Sequence, residues 1–481
     1  MPFKIDSFIL LFATVFLFYI IRSKFRPYVL LLASLVFIYR LDVRSFAWVI
    51  ATSAIVYGFG LLEDRAISED KHKQAKVIAT IGVCISIISL VVLKYSAKWS
   101  LSDKIMEQLI IPIGFSYYIF QAISYQVDIY QGKTKAEKNP AYFLLYMCFF
   151  PKFVSGPIER PQDFLSQVKE LDKVRFFADQ RLSIVFPTML YGFFMKVVMA
   201  DRLAIYTPKL LNYPHIFGSK WLFAGFIMYT LQIYCDFAGY SALAVGVGRL
   251  FGIRLKENFF VPYLTPDISV FWRRWHMSLS TWLRDYVYIP LGGNRKGLFR
   301  KIINTLIVFL VCGMWHGVGL SFVIWGLLHG IYITIHTLYR NFAGKRQIKN
   351  KFLSVSRYLV DIVVTFFCVA LAWIFFGAPS TKFALNYIFR MFTIGVGEVP
   401  MEAQTIELGV GMMDRNIIVF PLIILFLDII CLVKKLPFGE ALMKYPAVFR
   451  YSVEFVMIMG IFLLGIYGPG YNAQDFMYMN F

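Results

Sequence analysis

The sequence predicts an all-α, polytopic membrane protein, and three observations carry that expectation. Of its 481 residues, 58% are hydrophobic and only 16% charged, where a soluble domain carries about 25% charged residues. Mean hydropathy is +0.63, and many separate windows reach the roughly 17 to 25 apolar residues that span a bilayer. The net charge of +20 lies largely in short basic loops between those windows, the pattern of cytoplasmic loops. That placement reads as topology rather than as a nucleic-acid surface.

The spans follow in order. Phe8–Ile21 has no small-residue cleavage pattern and a second span starts at Tyr28, so it is read as a retained helix rather than a signal peptide. Arg22, Lys24 and Arg26 put the first turn inside and the N-terminus outside. The second span ends near Tyr39, and the third runs from about Phe46 to Leu62 into a loop with Arg65, Lys71, Lys73 and Lys76. The fourth (Val77–Leu93) goes out, and the fifth (Leu109–Tyr130) returns to Lys133, Lys135 and Lys138.

Two segments break this rhythm. Tyr142–Val154 is apolar but short, runs into "FFPKFVSGPIERPQDF", and has basic residues on both sides, so it reads as a re-entrant element. Non-helical backbone at that depth survives only where protein or water covers it. Arg249–Lys301, with "FWRRWHMSLSTWLRDYVYIPLGGNR" at its core, reads as an amphipathic or re-entrant element at the inner interface. Ile302–Tyr339 then reads as two spans, followed by Tyr358–Phe376, a return span ending at Lys434, and a last span, Tyr451–Tyr467, that leaves both termini outside.

Cys84, Cys148, Cys235, Cys312, Cys368 and Cys431 are scattered with no CxxC spacing, so neither a disulfide framework nor a metal site is expected. P-loop, HExxH, GxSxG and dinucleotide fingerprints are absent. What remains is a set of polar residues in apolar surroundings. His316, in "CGMWHGVG", is flanked by Gly313, Gly317 and Gly319, which let a backbone or ligand approach closely. At 1.5 Å per residue it sits about 20 Å from the inner end of its span. A neutral imidazole there makes a general base toward a hydroxyl, or, in a transporter, a proton relay. Asp236, inside an apolar span, is a functional carboxylate or the brace of an arginine. His329 and His336 read as cross-helix hydrogen-bond partners, and His72 and His215 as solvated loop residues.

Taken together, Phe149–Phe164, "YCDFAGYSALAVGVGRLFGIRLKENFFVPY" (Tyr234–Tyr263), Phe271–Arg295 and "GMWHGVGLSFVIWGLLHG" (Gly313–Gly330) resemble the membrane-bound O-acyltransferase family, in its bacterial alginate O-acetylation branch. The resemblance implies a ring of about 11 transmembrane helices plus re-entrant elements around a thin central tunnel. One membrane domain is expected: N-terminal helices over 1–140, a catalytic core over 141–340, and C-terminal helices with an extracytoplasmic tail over 341–481. The family's "WHG" histidine falls on His316 and its second polar position on His276, with Asp236, Asn258, Arg273, Arg274 and Trp315 as donor- or tunnel-lining candidates.

It also implies acetyl-CoA as donor substrate, no tightly bound cofactor or metal, a polysaccharide acceptor and an extracytoplasmic acetyltransferase partner at the cytoplasmic membrane. A rival within the family moves D-alanine from a carrier protein to teichoic acid, using a small peptide with an acyl-accepting tyrosine. Here the chain itself ends "DFMYMNF", which makes Tyr478 a candidate acyl relay, or else an aromatic interface anchor.

Overall fold

The computed structural model describes residues 5–96, 111–175, 181–343, 350–393 and 419–466, and among these every regular element is a helix. Among the described residues eight helices are long and apolar enough to cross a membrane: Val43–Ser68, His72–Tyr95, Arg181–Leu203, Ser219–Leu250, Gly297–His316, Leu320–Phe342, Lys351–Gly377 and Ala447–Leu464. Large apolar side chains such as Phe12 (73% exposed), Val363 (65%) and Phe462 (70%) stand on the outer surface. That is tolerable only where the surroundings are lipid.

Several boundaries are set by side-chain caps. Asp42 accepts from the backbone N–H groups of Arg44 and Ser45 at the start of Val43–Ser68. Asn350 does the same for Lys351–Gly377 through Phe352 and Leu353. The fifth span begins later than expected: residues 109 and 110 lie outside the described region, Pro112 precedes the helix, and Gly114 enters it at φ 76°, so the helix is Phe115–Tyr130. The last span is Ala447–Leu464, and Tyr467 lies outside the described residues.

The chain forms two compact units. The first comprises 1–189 with 240–257 and the second 190–239 with 258–477, apart from a few residues at the C-terminus. In the first unit the short apolar segment is indeed broken, into Pro140–Cys148 and Phe150–Phe153, with irregular backbone onward to Pro161. Every residue from Pro151 to Arg160 is buried. Protein therefore covers the irregular backbone, as a bilayer-depth segment requires.

Its charges are satisfied locally. The Lys152 ammonium donates to the Gln121 side chain and to the Tyr146 carbonyl (2.5 Å), and lies 4.9 Å from the Tyr146 and Phe164 ring centres. The Glu159 carboxylate accepts from the Lys256 backbone N–H at 2.7 Å, and the Arg160 guanidinium donates to the Ser124 hydroxyl at 3.2 Å. Buried charge is tolerated on these terms.

In the second unit, Gly297–His316 and Leu320–Ala343 form a hairpin joined by Gly317, Val318 and Gly319. The two helices approach at glycine. A Cβ on Gly313 would lie 2.3 Å from the Phe322 carbonyl oxygen, and one on Gly326 would lie 2.2 Å from that of Phe309. Small residues at the crossing are what bring backbones this close in a membrane.

Candidate active site

The hairpin's close approach fixes His316, the last residue of its helix, in a box of rings within the second unit. Its imidazole lies 4.7 Å from Trp315, 4.8 Å from Trp325 and 5.2 Å from Phe376, centre to centre, each in edge or T-shaped contact. The side chain is buried. Trp325 stacks in turn on Trp373 at 5.5 Å. Aromatic walls of this kind strengthen any hydrogen bond the imidazole makes.

His276 belongs to the same cluster. Its ring packs on Phe237 at 4.7 Å and on Trp315 at 6.4 Å, so one indole is in ring contact with both histidines. The backbone of His276 is left-handed, φ 41°, a conformation costing a non-glycine residue about 1–2 kcal/mol. Asn258 holds it there. Its carbonyl accepts from the Met277 N–H at 3.0 Å and its side-chain oxygen from the Ser278 N–H at 3.3 Å. Asn258 thus caps, from a distant point in the chain, the helix Met277–Leu283 that His276 begins.

The remaining candidates separate. Arg273 is exposed and stands away from the rings. Arg274 lies over Phe260, 5.4 Å from the ring centre, and its carbonyl accepts from the Phe260 N–H. Asp236 is buried and braced by a lysine: Lys196 donates to it at 2.6 Å and pairs with Asp201 at 2.8 Å. Lys196 lies on a π-helical segment, Phe194–Ala200, at the end of the Arg181 helix. Sequence reasoning missed it. The available signal was a lone lysine five residues before an aspartate, within an apolar run.

The cross-helix roles expected of His329 and His336 are present. Trp272 Nε1–H donates to His329 Nδ1 at 3.2 Å, and His336 Nδ1 is 3.1 Å from the Ser269 hydroxyl. Tyr478 lies outside the described residues. Among the described residues no three histidine, cysteine or acidic side chains gather as metal ligands would.

The fold and site together are those of a multi-pass helical membrane protein with two histidines gathered around one buried indole. Comparison with known proteins gives the family: residues 137–381 match the membrane-bound O-acyltransferase (MBOAT) family. A probable alginate O-acetylase of Pseudomonas putida is 34% identical over 410 residues, spanning 82% of this chain and 81% of its own. A peptidoglycan O-acetyltransferase of Helicobacter pylori is 33% identical, over 58% of this chain and 56% of its own. A teichoic acid D-alanyltransferase of Bacillus subtilis is 34% identical, over 57% of this chain and 70% of its own. The chain belongs to the membrane-bound O-acyltransferase family and is an O-acyltransferase. The transport alternative raised by a membrane histidine gives way to this class.

Proposed function

We propose that this protein passes an acetyl group from cytoplasmic acetyl-CoA across the cytoplasmic membrane for O-acetylation of an extracellular or cell-wall polysaccharide. The observation that carries the reading is the joining of His276 and His316 around Trp315, in a chain most of whose length aligns with a probable alginate O-acetylase. In this reading His316 takes the proton of the accepting hydroxyl and later returns it to the leaving group. His276 orients the activated acyl group, and Asn258 acts through it by fixing the helix that it starts. No tightly bound cofactor is needed, because the thioester supplies the activation.

The tail completes the path. With both termini outside, Tyr478 receives the acyl group as an aryl ester and hands it to an extracytoplasmic acetyltransferase partner. A phenol, with an ordinary pKa near 10, is a weak nucleophile and needs a base such as His316. Mass spectrometry of protein trapped without its partner should find an acetyl ester on Tyr478, and Tyr478→Phe should abolish transfer to polymer. Full transfer by Tyr478→Phe would remove the relay.

The likeness to a teichoic acid D-alanyltransferase over 57% of this chain supports a second reading, D-alanyl transfer from a carrier protein. One experiment separates the two. Detergent-purified protein is given radiolabelled acetyl-CoA or a D-alanyl carrier protein, and label transfer and free thiol are followed. Acetyl transfer is expected, with His316→Ala slower by about 10² to 10⁴-fold. Turnover of the carrier protein alone would replace the first reading by the second.

A further inference from the structure

Around Trp325, which packs on His316, lie two buried hydrogen-bond donors that the acid–base role does not use. Trp272 can only donate, so its 3.2 Å bond to His329 Nδ1 leaves that nitrogen without a proton. The imidazole of His329 is therefore the tautomer that carries its proton on Nε2. His329 is 0% exposed, and its Nε2 meets no acceptor among the described residues. One helical turn earlier, Trp325 is also 0% exposed, and its Nε1–H likewise meets no acceptor. Residues four apart share a helix face. The Trp325 indole touches both imidazoles, with ring centres 4.8 Å from His316 and 5.0 Å from His329.

A buried donor left unsatisfied loses its bond to water with nothing to replace it, which proteins rarely tolerate. Two such donors a turn apart on one helix, one of them in ring contact with the imidazole read as the acid–base centre, call for an oxygen acceptor. We propose that Trp325 Nε1–H and His329 Nε2–H hold the carbonyl oxygen of the acyl group in transit, with Trp272 fixing the tautomer that makes His329 a donor. The inference rests on the reading of His316 as the reaction centre.

The step then balances. The attacking hydroxyl oxygen bonds to the acyl carbon and its proton passes to His316. The carbonyl π pair moves onto the oxygen held by the two N–H groups. That pair re-forms the carbonyl as the bond to the thioester sulfur breaks, and the sulfur leaves with the proton that His316 returns. Donors placed in advance at such an oxygen act on the rate rather than on binding.

Two substitutions at His329 separate this role from packing. In His329→Gln the amide nitrogen reaches about as far as Nε2, keeping the donor while losing the acceptor for Trp272. In His329→Asn the amide oxygen stands near Nδ1, keeping the bond from Trp272 while losing the donor. The full-length protein is assayed in detergent with whichever of the two donors above it accepts. His329→Asn should lower kcat by about 10² to 10³-fold with KM and melting temperature near normal. His329→Gln should melt lower yet keep kcat within about tenfold of the parent, since it retains the donating group. Trp325→Phe, which keeps a ring and removes only the N–H, should lower kcat as His329→Asn does. Equal kcat in the two His329 variants, the reverse order, or an unchanged kcat in Trp325→Phe would overturn the proposal. His316→Ala, run alongside, tests the other assignment separately: activity there removes the acid–base reading, while the order of the His329 variants still decides the acyl-oxygen site.

Discussion

Replacing Gly313 by alanine sets the geometry of the helical hairpin against its function. The added methyl would stand 2.3 Å from the Phe322 carbonyl oxygen, where ordinary contact begins at 3.4 Å. The obstacle is backbone of the facing helix, which cannot swing aside as a side chain can. The helices must part by about 1 Å, and a misplacement of that size at a reacting group costs about 10²-fold in rate. His316 lies three residues further along the same helix. Overpacking adds about 1–3 kcal/mol of destabilisation.

Gly319, in the same short stretch, is the internal control. A Cβ there meets nothing closer than 3.9 Å, a ring carbon of Phe322. We expect Gly313→Ala to lose about 99% of acyl transfer and to melt lower in detergent, while Gly319→Ala keeps near-parental activity. Transfer would be measured on equal amounts of membrane-inserted protein. Equal activity in the two variants, or greater damage at Gly319, would refute the view that helix approach sets the need for glycine.

Lys196→Met should lower the melting temperature of the purified protein sharply, because it leaves Asp201 and Asp236 buried without their cation, a change worth about 3–5 kcal/mol; an unchanged melting curve would show that the lysine is not what holds the two carboxylates. Asn258→Ala removes the side-chain half of the cap on the Met277 helix, costing about 1 kcal/mol. Because His276 starts that helix, the same variant should lose part of its turnover, and a drop in melting temperature with normal turnover would limit Asn258 to stability.

The long spans were legible because hydropathy and loop charge act over whole helices. Val43–Ser68, His72–Tyr95 and Lys351–Gly377 run past the expected ends, since caps such as Asp42 and Asn350 sit outside the apolar run that marks the span. His316 was legible from its glycines, although only the packing shows that Gly313 and Gly319 have different reasons to be small. The nearness of His276 to His316 was not legible. It depends on a left-handed turn held by Asn258, eighteen residues earlier in the chain. Lys196 escaped for a similar reason: its partner Asp236 lies forty residues away, and a single lysine near the end of a span reads as an interface anchor. Pattern reasoning finds which residues are unusual; long-range pairing decides what each one does.

The segment from Pro151 to Arg160 carries a consequence for biogenesis. A translocon sorts helices into lipid by their summed apolarity, and a run holding Lys152, Glu159 and Arg160 fails that test by several kcal/mol per charge. Its charges become tolerable beside groups supplied from elsewhere in the chain: Gln121 and Ser124 of Phe115–Tyr130, made earlier, and the Lys256 backbone N–H on Glu159, made 97 residues later. Until Lys256 has been made, Glu159 lacks that backbone donor, so the first unit cannot be completed in the order in which it leaves the ribosome. Its long helices are apolar enough to enter the bilayer on their own, whereas this stretch reaches its final partners only once that later segment is in place.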